Sequence, residues 1–198
     1  AAKAAYENLR FFCDNRISLV SFTPETMKKY KLADEDIDDI VNLIRGIQGV
    51  RVAVVGFTKG MDGMALPVGS ENCVNVLYTD YDSAYQVVDT QKISSIINAA
   101  KKEKPDILVA LLHWGSEFNN TISPRQEAIV YLLRAYDVDA ILGTHSHYVQ
   151  EVEFNPETGK VLAYSLGDFF SDASRSGSEY SIVLDLEITK HNETGETK

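Results

Sequence analysis

The chain has 198 residues, 44% of them hydrophobic and 24% charged, with a formal net charge of −10. This is enough apolar material for one sizeable core, and no window approaches the roughly 18 consecutive apolar residues of a membrane-spanning helix. The acidic balance argues against nucleic-acid binding, whose affinity comes largely from lysine and arginine on phosphates.

The opening "AAKAAYENLRFF" reads as a helix over residues 2–13, and Ile17–Phe22 as a strand. The first residue is Ala1 and no signal-like segment follows it, so the expectation is that more chain lies upstream. Residues 34–48 place Ile37, Ile40, Val41, Ile44 and Ile47 on one helical face, with Gly49 as the stop. "RVAVVGFT", Arg51–Thr58, is an apolar, β-branched run that reads as a buried strand. Residues 60–75, rich in Gly, Pro and Asn, read as a loop, and Asn75–Thr79 as a brief strand.

From Thr90 to Lys102, Ile93, Ile96, Ile97 and Ala100 recur at helical spacing, and Pro105 ends the run. "DILVALLHWG", Asp106–Gly115, is the plainest buried strand. Ser123-Pro124-Arg125-Gln126 opens a helix that runs to about Tyr136: an N-cap serine, proline in the first turn, and glutamine three after the serine. "VDAILGTH" is the next buried strand, residues 149–167 form a hairpin around Asn155–Gly159, and "EYSIVLDLEIT" is a last strand. Strands alternating with helices give a layered α/β (α+β) class, read as one domain over 1–190 with a polar tail, 191–198.

The chemistry collects where strands end. His113 follows Ile107–Leu112 directly, and His145 and His147 follow Ala140–Leu142 after Gly143 and Thr144. Open α/β sheets gather ligands beyond the carboxyl ends of their strands. If these two strands are parallel neighbours, three of the four histidines share one pocket. In an extended segment, residues two apart point to the same side, so His145 and His147 can face one ion or two adjacent ones. Imidazole suits Zn, Mn, Fe or Ni. The small neighbours Gly143, Thr144 and Ser146 leave room for close approach, and Gly143 is a candidate for special backbone geometry.

A hydrolytic centre also needs carboxylates, and Glu117, Asp168 and Asp172 are the candidates, with a turn or surface role as the plainer alternative for each. Trp114 and Phe118 are read as pocket wall, with substrate stacking as the alternative. His191 lies in the polar tail. Cys13 and Cys73 lack a metal-type or CxxC spacing, and burial statistics favour two buried thiols over one disulfide. Lys101, Lys102 and Lys104 form one basic cluster, most simply a solvated helix end.

"LLHWGSEF" (Leu111–Phe118), "ILGTHSHYVQEVE" (Ile141–Glu153) and "LAYSLGDFFSD" (Leu162–Asp172) resemble the bacterial capsule-synthesis CapA proteins, associated with poly-γ-glutamate, within the calcineurin-like metallophosphoesterase superfamily. The resemblance covers roughly residues 50–187. It implies a β-sandwich flanked by helices, with a dinuclear site at the strand ends. By it, His113 matches the metal-ligand histidine after the central strand, and His145 and His147 match the histidines of the GHxH motif. It further implies divalent ions of Mn, Fe or Zn type, two in the complete protein and about 4 Å apart. The substrate would be a phosphate ester or an acidic polymer, the partners other capsule-synthesis proteins, and the location extracytoplasmic, at the cell envelope, with an anchor or signal upstream of residue 1.

The sequence departs from the superfamily in three ways. It has no Asn-His dipeptide and no histidine before position 113. Asp168 stands where the family usually has asparagine. Gly143-Thr144-His145 replaces the usual Gly-His-x-His wording with a spacer threonine, and the two histidines keep their i, i+2 spacing. The superfamily's early Asp, Gly-Asp and Asn-His are therefore expected upstream of Ala1, and the 198-residue chain alone is expected to be inactive. The alternative is a non-catalytic binding or scaffold module of the capsule assembly machinery on the same fold.

Overall fold

The structure is a computed structural model that describes residues 7–12, 17–20, 24–31, 52–60, 63–70, 73–171 and 175–188. The expected helix 34–48, Cys13, Asp172 and His191 lie outside the described residues. The sequence reading treats 1–190 as one domain; the contacts divide the chain into two compact units, 1–52 and 53–198.

In the first unit, β1 (Leu9–Phe12) pairs antiparallel with β2 (Ile17–Val20), Leu9 opposite Val20 and Phe12 opposite Ile17. The expected helix over 2–13 therefore ends by Asn8 among the described residues. The aromatic pair Phe11-Phe12 and the β-branched Ile17 and Val20 suit a pleated pairing, and that tertiary option overrides the helical promise of the alanine-rich opening. A short helix the sequence reading did not anticipate, α1 (Pro24–Tyr30), follows. Proline at its first position suits the donor-free start of a helix.

The second unit is built on a five-stranded sheet in the order β3-β4-β5-β7-β6. Its strands are β3 (Val52–Thr58), β4 (Ile107–His113), β5 (Ala140–Thr144), β6 (Val152–Phe154) and β7 (Val161–Ala163). β4 runs parallel to β5 and β5 parallel to β7, while β6 and β7 form the antiparallel hairpin. The hairpin turn is closed by Asn155, whose Oδ1 accepts from the N–H groups of Glu157 and Thr158, and by Gly159 at φ 71°.

Two helices flank this sheet: α2 (Thr90–Lys102) and α3 (Pro124–Ala135). Strand β4 alternates, with Leu108, Ala110 and Leu112 buried and Leu111 45% exposed. The buried set joins Ile93 and Ile97 of α2 and Ile129, Val130 and Leu133 of α3 in one apolar cluster. Each such side chain contributes about 1.5–3 kcal/mol by leaving water. Period 2 in the strands meets period 3.6 in the helices, which is why the two patterns in the sequence lock into one core.

Two expected strands are not regular. Asn75–Thr79 contributes only isolated bridges, Thr58 with Val76 and Tyr78 with Val88. In the last segment only Ser181 bridges, to Gly167, and residues 182–188 form no strand. An alternating sequence becomes a strand only where an edge is there to pair with it. Cys73, expected buried, is exposed.

Candidate active site

The parallel register of β4 and β5 sets Leu112 opposite Gly143 and His113 opposite Thr144, so both strands end at one edge of the sheet. Immediately beyond that edge the rings of His113 and His145 lie with centroids 4.2 Å apart, and those of His145 and His147 are 6.4 Å apart. All three imidazoles meet there.

The geometry that brings the pair together differs from the expected extended segment. β5 stops at Thr144, and His145 and His147 both have positive φ, 100° and 61°. Such values are costly for residues with a Cβ and persist where surrounding contacts fix them. Ser146, fully buried between them, supplies that fixation: its Oγ–H donates to the carbonyl of Tyr148 at 2.7 Å and accepts from the Tyr148 N–H at 3.3 Å. The small residue expected to leave room instead clamps a bend.

His147 is held on two sides. Its Nδ1 lies 2.8 and 2.9 Å from the two carboxylate oxygens of Asp168, and its ring stacks on Phe118 at 4.5 Å and 12°. A carboxylate against Nδ1 favours the tautomer with the proton there and leaves the Nε2 lone pair directed elsewhere. Glu117 Oε1 is 3.8 Å from that Nε2, beyond hydrogen-bond range. Asp168 itself is set by Gly167, at φ 74°, where a Cβ would come within 2.5 Å of the Tyr180 carbonyl. On Phe118 also lies Arg175, its guanidinium carbon 4.0 Å from the ring centroid.

Trp114 is fully buried, behind the histidine edge. Its Nε1–H donates to the Tyr164 carbonyl at 2.8 Å, and its ring stacks on Tyr164 at 5.7 Å and 15°. This bond passes directly over Gly143. A Cβ there would lie 2.1 Å from the Tyr164 oxygen and 2.3 Å from the indole nitrogen. Gly143 is thus required by close approach. Burial pushes the Tyr164 phenol above its ordinary pKa of 10.0, with nearby Glu153 adding to the rise.

The lysine cluster lies elsewhere. Lys101 and Lys102 end α2, and the chain then enters β4 at Ile107, at the edge opposite His113. Seven strand residues separate the two edges by about 20 Å. Lys101 Nζ donates to the Tyr136 carbonyl at 2.8 Å, a helix-end contact.

Imidazole and carboxylate are suitable donors for a transition-metal ion. Among the described residues, however, no three His, Cys, Asp or Glu side chains converge on a single ion position. The three histidines and Asp168 do not by themselves form a coordination sphere. The sequence reading did not single out Arg175, whose place over Phe118 no local pattern encodes.

A family model described as "Bacterial capsule synthesis protein PGA_cap" matches residues 33–173. The chain is 31% identical over 174 residues to the capsule biosynthesis protein CapA of Bacillus anthracis, covering 84% of this chain and 40% of that protein. It is 30% identical over 149 residues to the PGA biosynthesis protein CapA of Bacillus subtilis, covering 75% of this chain and 35% of that protein. A probable polyglutamine synthesis accessory protein of Mycobacterium tuberculosis matches over 89 residues at 28% identity, covering 45% of this chain and 23% of that protein. The chain thus spans about two fifths of the length of the Bacillus relatives. A family match over most of the chain, together with the histidine edge on a five-stranded mixed sheet, places the chain in the bacterial capsule synthesis (PGA_cap, CapA) family.

Proposed function

We propose that this chain carries the histidine part of a metal-dependent phosphoesterase-type site in a protein of capsule-polymer biosynthesis. One observation carries the reading: His113, His145 and His147 meet at one sheet edge, with Asp168 on Nδ1 of His147. The relatives' names supply the setting, capsule and PGA biosynthesis.

On this reading the three histidines hold divalent ions of Mn, Fe or Zn type, two in the complete site. Such ions polarise a phosphoryl oxygen and make a nucleophile of water at neutral pH. The chain's own residues orient and protect. Asp168 keeps the proton on Nδ1 of His147, Phe118 fixes the plane of that ring, and the Trp114–Tyr164 layer keeps water from the rear. Glu117, exposed beside Nε2, is placed to accept a hydrogen bond from a group bound there. The substrate is a phosphate ester or an acidic polymer, the partners are other capsule-synthesis proteins, and the site works outside the cytoplasm, at the envelope. No helix among the described residues is long and apolar enough to cross a membrane.

A second reading is a non-catalytic module that binds the polymer or scaffolds its assembly. It is favoured by the lack of three converging ligand side chains among the described residues.

Metal analysis of the intact protein, with thermal melting before and after chelation, tests the first reading. The expected result is bound ion, a melting temperature that falls on chelation because the ion stabilises the folded state by mass action, and loss of ion in His145→Ala. Asp168→Asn should lower metal affinity by about 10- to 100-fold, the usual effect of losing a carboxylate behind a ligating histidine. Occupancy untouched by His145→Ala would sink the reading. Bound ion without turnover of any phosphate ester would favour the module.

A further inference from the structure

Residues 175–178 close a turn beside the histidine edge, held by its own hydrogen bonds and by Tyr148. The Ser178 N–H and Oγ–H both donate to the Arg175 carbonyl, at 2.9 and 2.7 Å. The Tyr148 hydroxyl donates to the Ser176 carbonyl at 2.8 Å. Gly177, at φ 99°, packs so closely on Tyr148 that a Cβ would lie 2.3 Å from Cε1 of that ring. Tyr148 follows His147 directly, so the turn is tied to the backbone of the histidine pair. None of these contacts uses the Arg175 side chain, and the turn forms without it.

The side chain instead reaches over the site. Its guanidinium carbon lies 4.0 Å from the centroid of Phe118, the ring on which His147 stacks at 4.5 Å. The guanidinium and the imidazole are therefore no further apart than the sum of these two distances. Phe118 also meets Tyr148 edge-on, at 6.5 Å and 89°, so Phe118, Tyr148 and the turn form one scaffold. Solvent reaches both charged ends of this arrangement: Arg175 is exposed, and the His147 side chain is 28% exposed.

A cation–π contact at an exposed ring is weaker than the rotamer entropy an arginine carries, so packing alone is a poor reason for the placement. The contact positions the charge without neutralising it. Among the described residues no carboxylate forms an ion pair with Arg175. The acids of the edge face His147: Asp168 sets both oxygens against Nδ1, and Glu117 lies 3.8 Å from Nε2.

We propose that Arg175 is the anion clamp of the histidine edge, taking two oxygens of a phosphoryl or carboxylate group on the molecule bound there. This deepens the functional reading above and rests on it for the identity of that molecule as the substrate. On that reading the ions at the histidines and the guanidinium are cations facing one patch of solvent. An oxyanion held by both replaces their repulsion with two attractions. The planar fork of arginine suits the task better than an ammonium, because it meets two oxygens of either group at once.

The test is isothermal titration calorimetry of the intact protein with inorganic phosphate and, separately, with glutarate, with bound metal measured in each sample. The expected result is saturable binding of at least one anion, the tighter one identifying the oxyanion. Arg175→Gln should weaken that binding about tenfold at unchanged metal content, the loss of one charged hydrogen bond. Arg175→Lys, which keeps the charge and loses the fork, should weaken it less. Lys102→Gln removes the same charge from the far edge of the sheet and should leave affinity unchanged. Circular dichroism melts identify any variant that fails to fold, and Arg175→Lys then stands in for Arg175→Gln. No saturable binding of either anion, or equal affinity in the parent and the folded Arg175 variants, overturns the proposal. The two ideas fail separately. Bound ion with anion affinity indifferent to Arg175 removes the clamp and leaves the functional reading standing, while anion affinity that depends on Arg175 in a protein without ion does the reverse.

Discussion

At Gly143 a single methyl group has nowhere to go. The Tyr164 carbonyl and the Trp114 indole nitrogen would both lie inside contact distance of an added Cβ, and neither is the loose end of a flexible chain. Gly143→Ala should therefore destabilise the fold by about 3 kcal/mol, at the upper end of overpacking costs, read as a lowered denaturant midpoint. Much of the site at this scale was legible in the sequence. Histidine directly after a greasy run marks a strand end, and an HxH after a second such run marks its neighbour. What was not legible is the backbone between the two histidines. Their positive φ angles depend on buried Ser146 closing a bend on Tyr148, and no spacing rule encodes that. The contact of Asp168 with His147 likewise depends on where residues 164–168 run in space, so the sequence could offer Asp168 only as one of three candidate acids.

Helices with local signals were the most readable elements. α2 occupies the expected Thr90–Lys102, and Asp89 caps it, its side chain accepting from the Lys92 N–H at 2.9 Å. α3 carries the expected capping box in full: the Gln126 N–H donates to Ser123 Oγ, and the Ser123 N–H donates to Gln126 Oε1. Gln126 is also buried, its Nε2 donating to Gln150 Oε1 at 3.0 Å, which ties the cap to the segment after His147. Ser123→Ala should cost about 1 kcal/mol, measured as a fall in melting temperature, while Ser123→Asp should restore most of it. Elements that need a distant partner were read less well. Residues 9–12 look helical in isolation but pair with Ile17–Val20, and the alternating segment after Ser181 finds no continuous edge. Local chemistry writes a cap; only tertiary context decides whether an apolar alternation becomes a strand.

For the molecule as a whole, the acid surplus sets the behaviour toward pH. The pKa of Asp80 is held below its ordinary 3.8 by the N–H groups of Val87 and Gln86, and that of Asp137 by its hydrogen bond to Lys160. A carboxylate depressed in the folded state contributes stability above its unfolded pKa and loses it as pH falls through the folded value. Melting temperature should therefore hold near neutrality and fall once pH drops below about 4. Asp80→Asn should flatten that fall. Near the sequence pI of 4.8 the net charge vanishes and solubility should pass through its minimum. The layered α/β class was recoverable from the alternation of elements, because parallel strands and their crossover helices leave that alternation in the chain itself. The division at residue 52 was not, since no linker composition marks it.

The chain holds one tryptophan, and it lies in the layer directly behind the histidine edge. Its indole is dry, bonded to a fixed carbonyl and face to face with one tyrosine. The tryptophan emission of the chain, excited beyond the absorption of its tyrosines, therefore originates at a single known place, and a redward drift of that emission marks the moment when solvent breaks into the rear wall of the site.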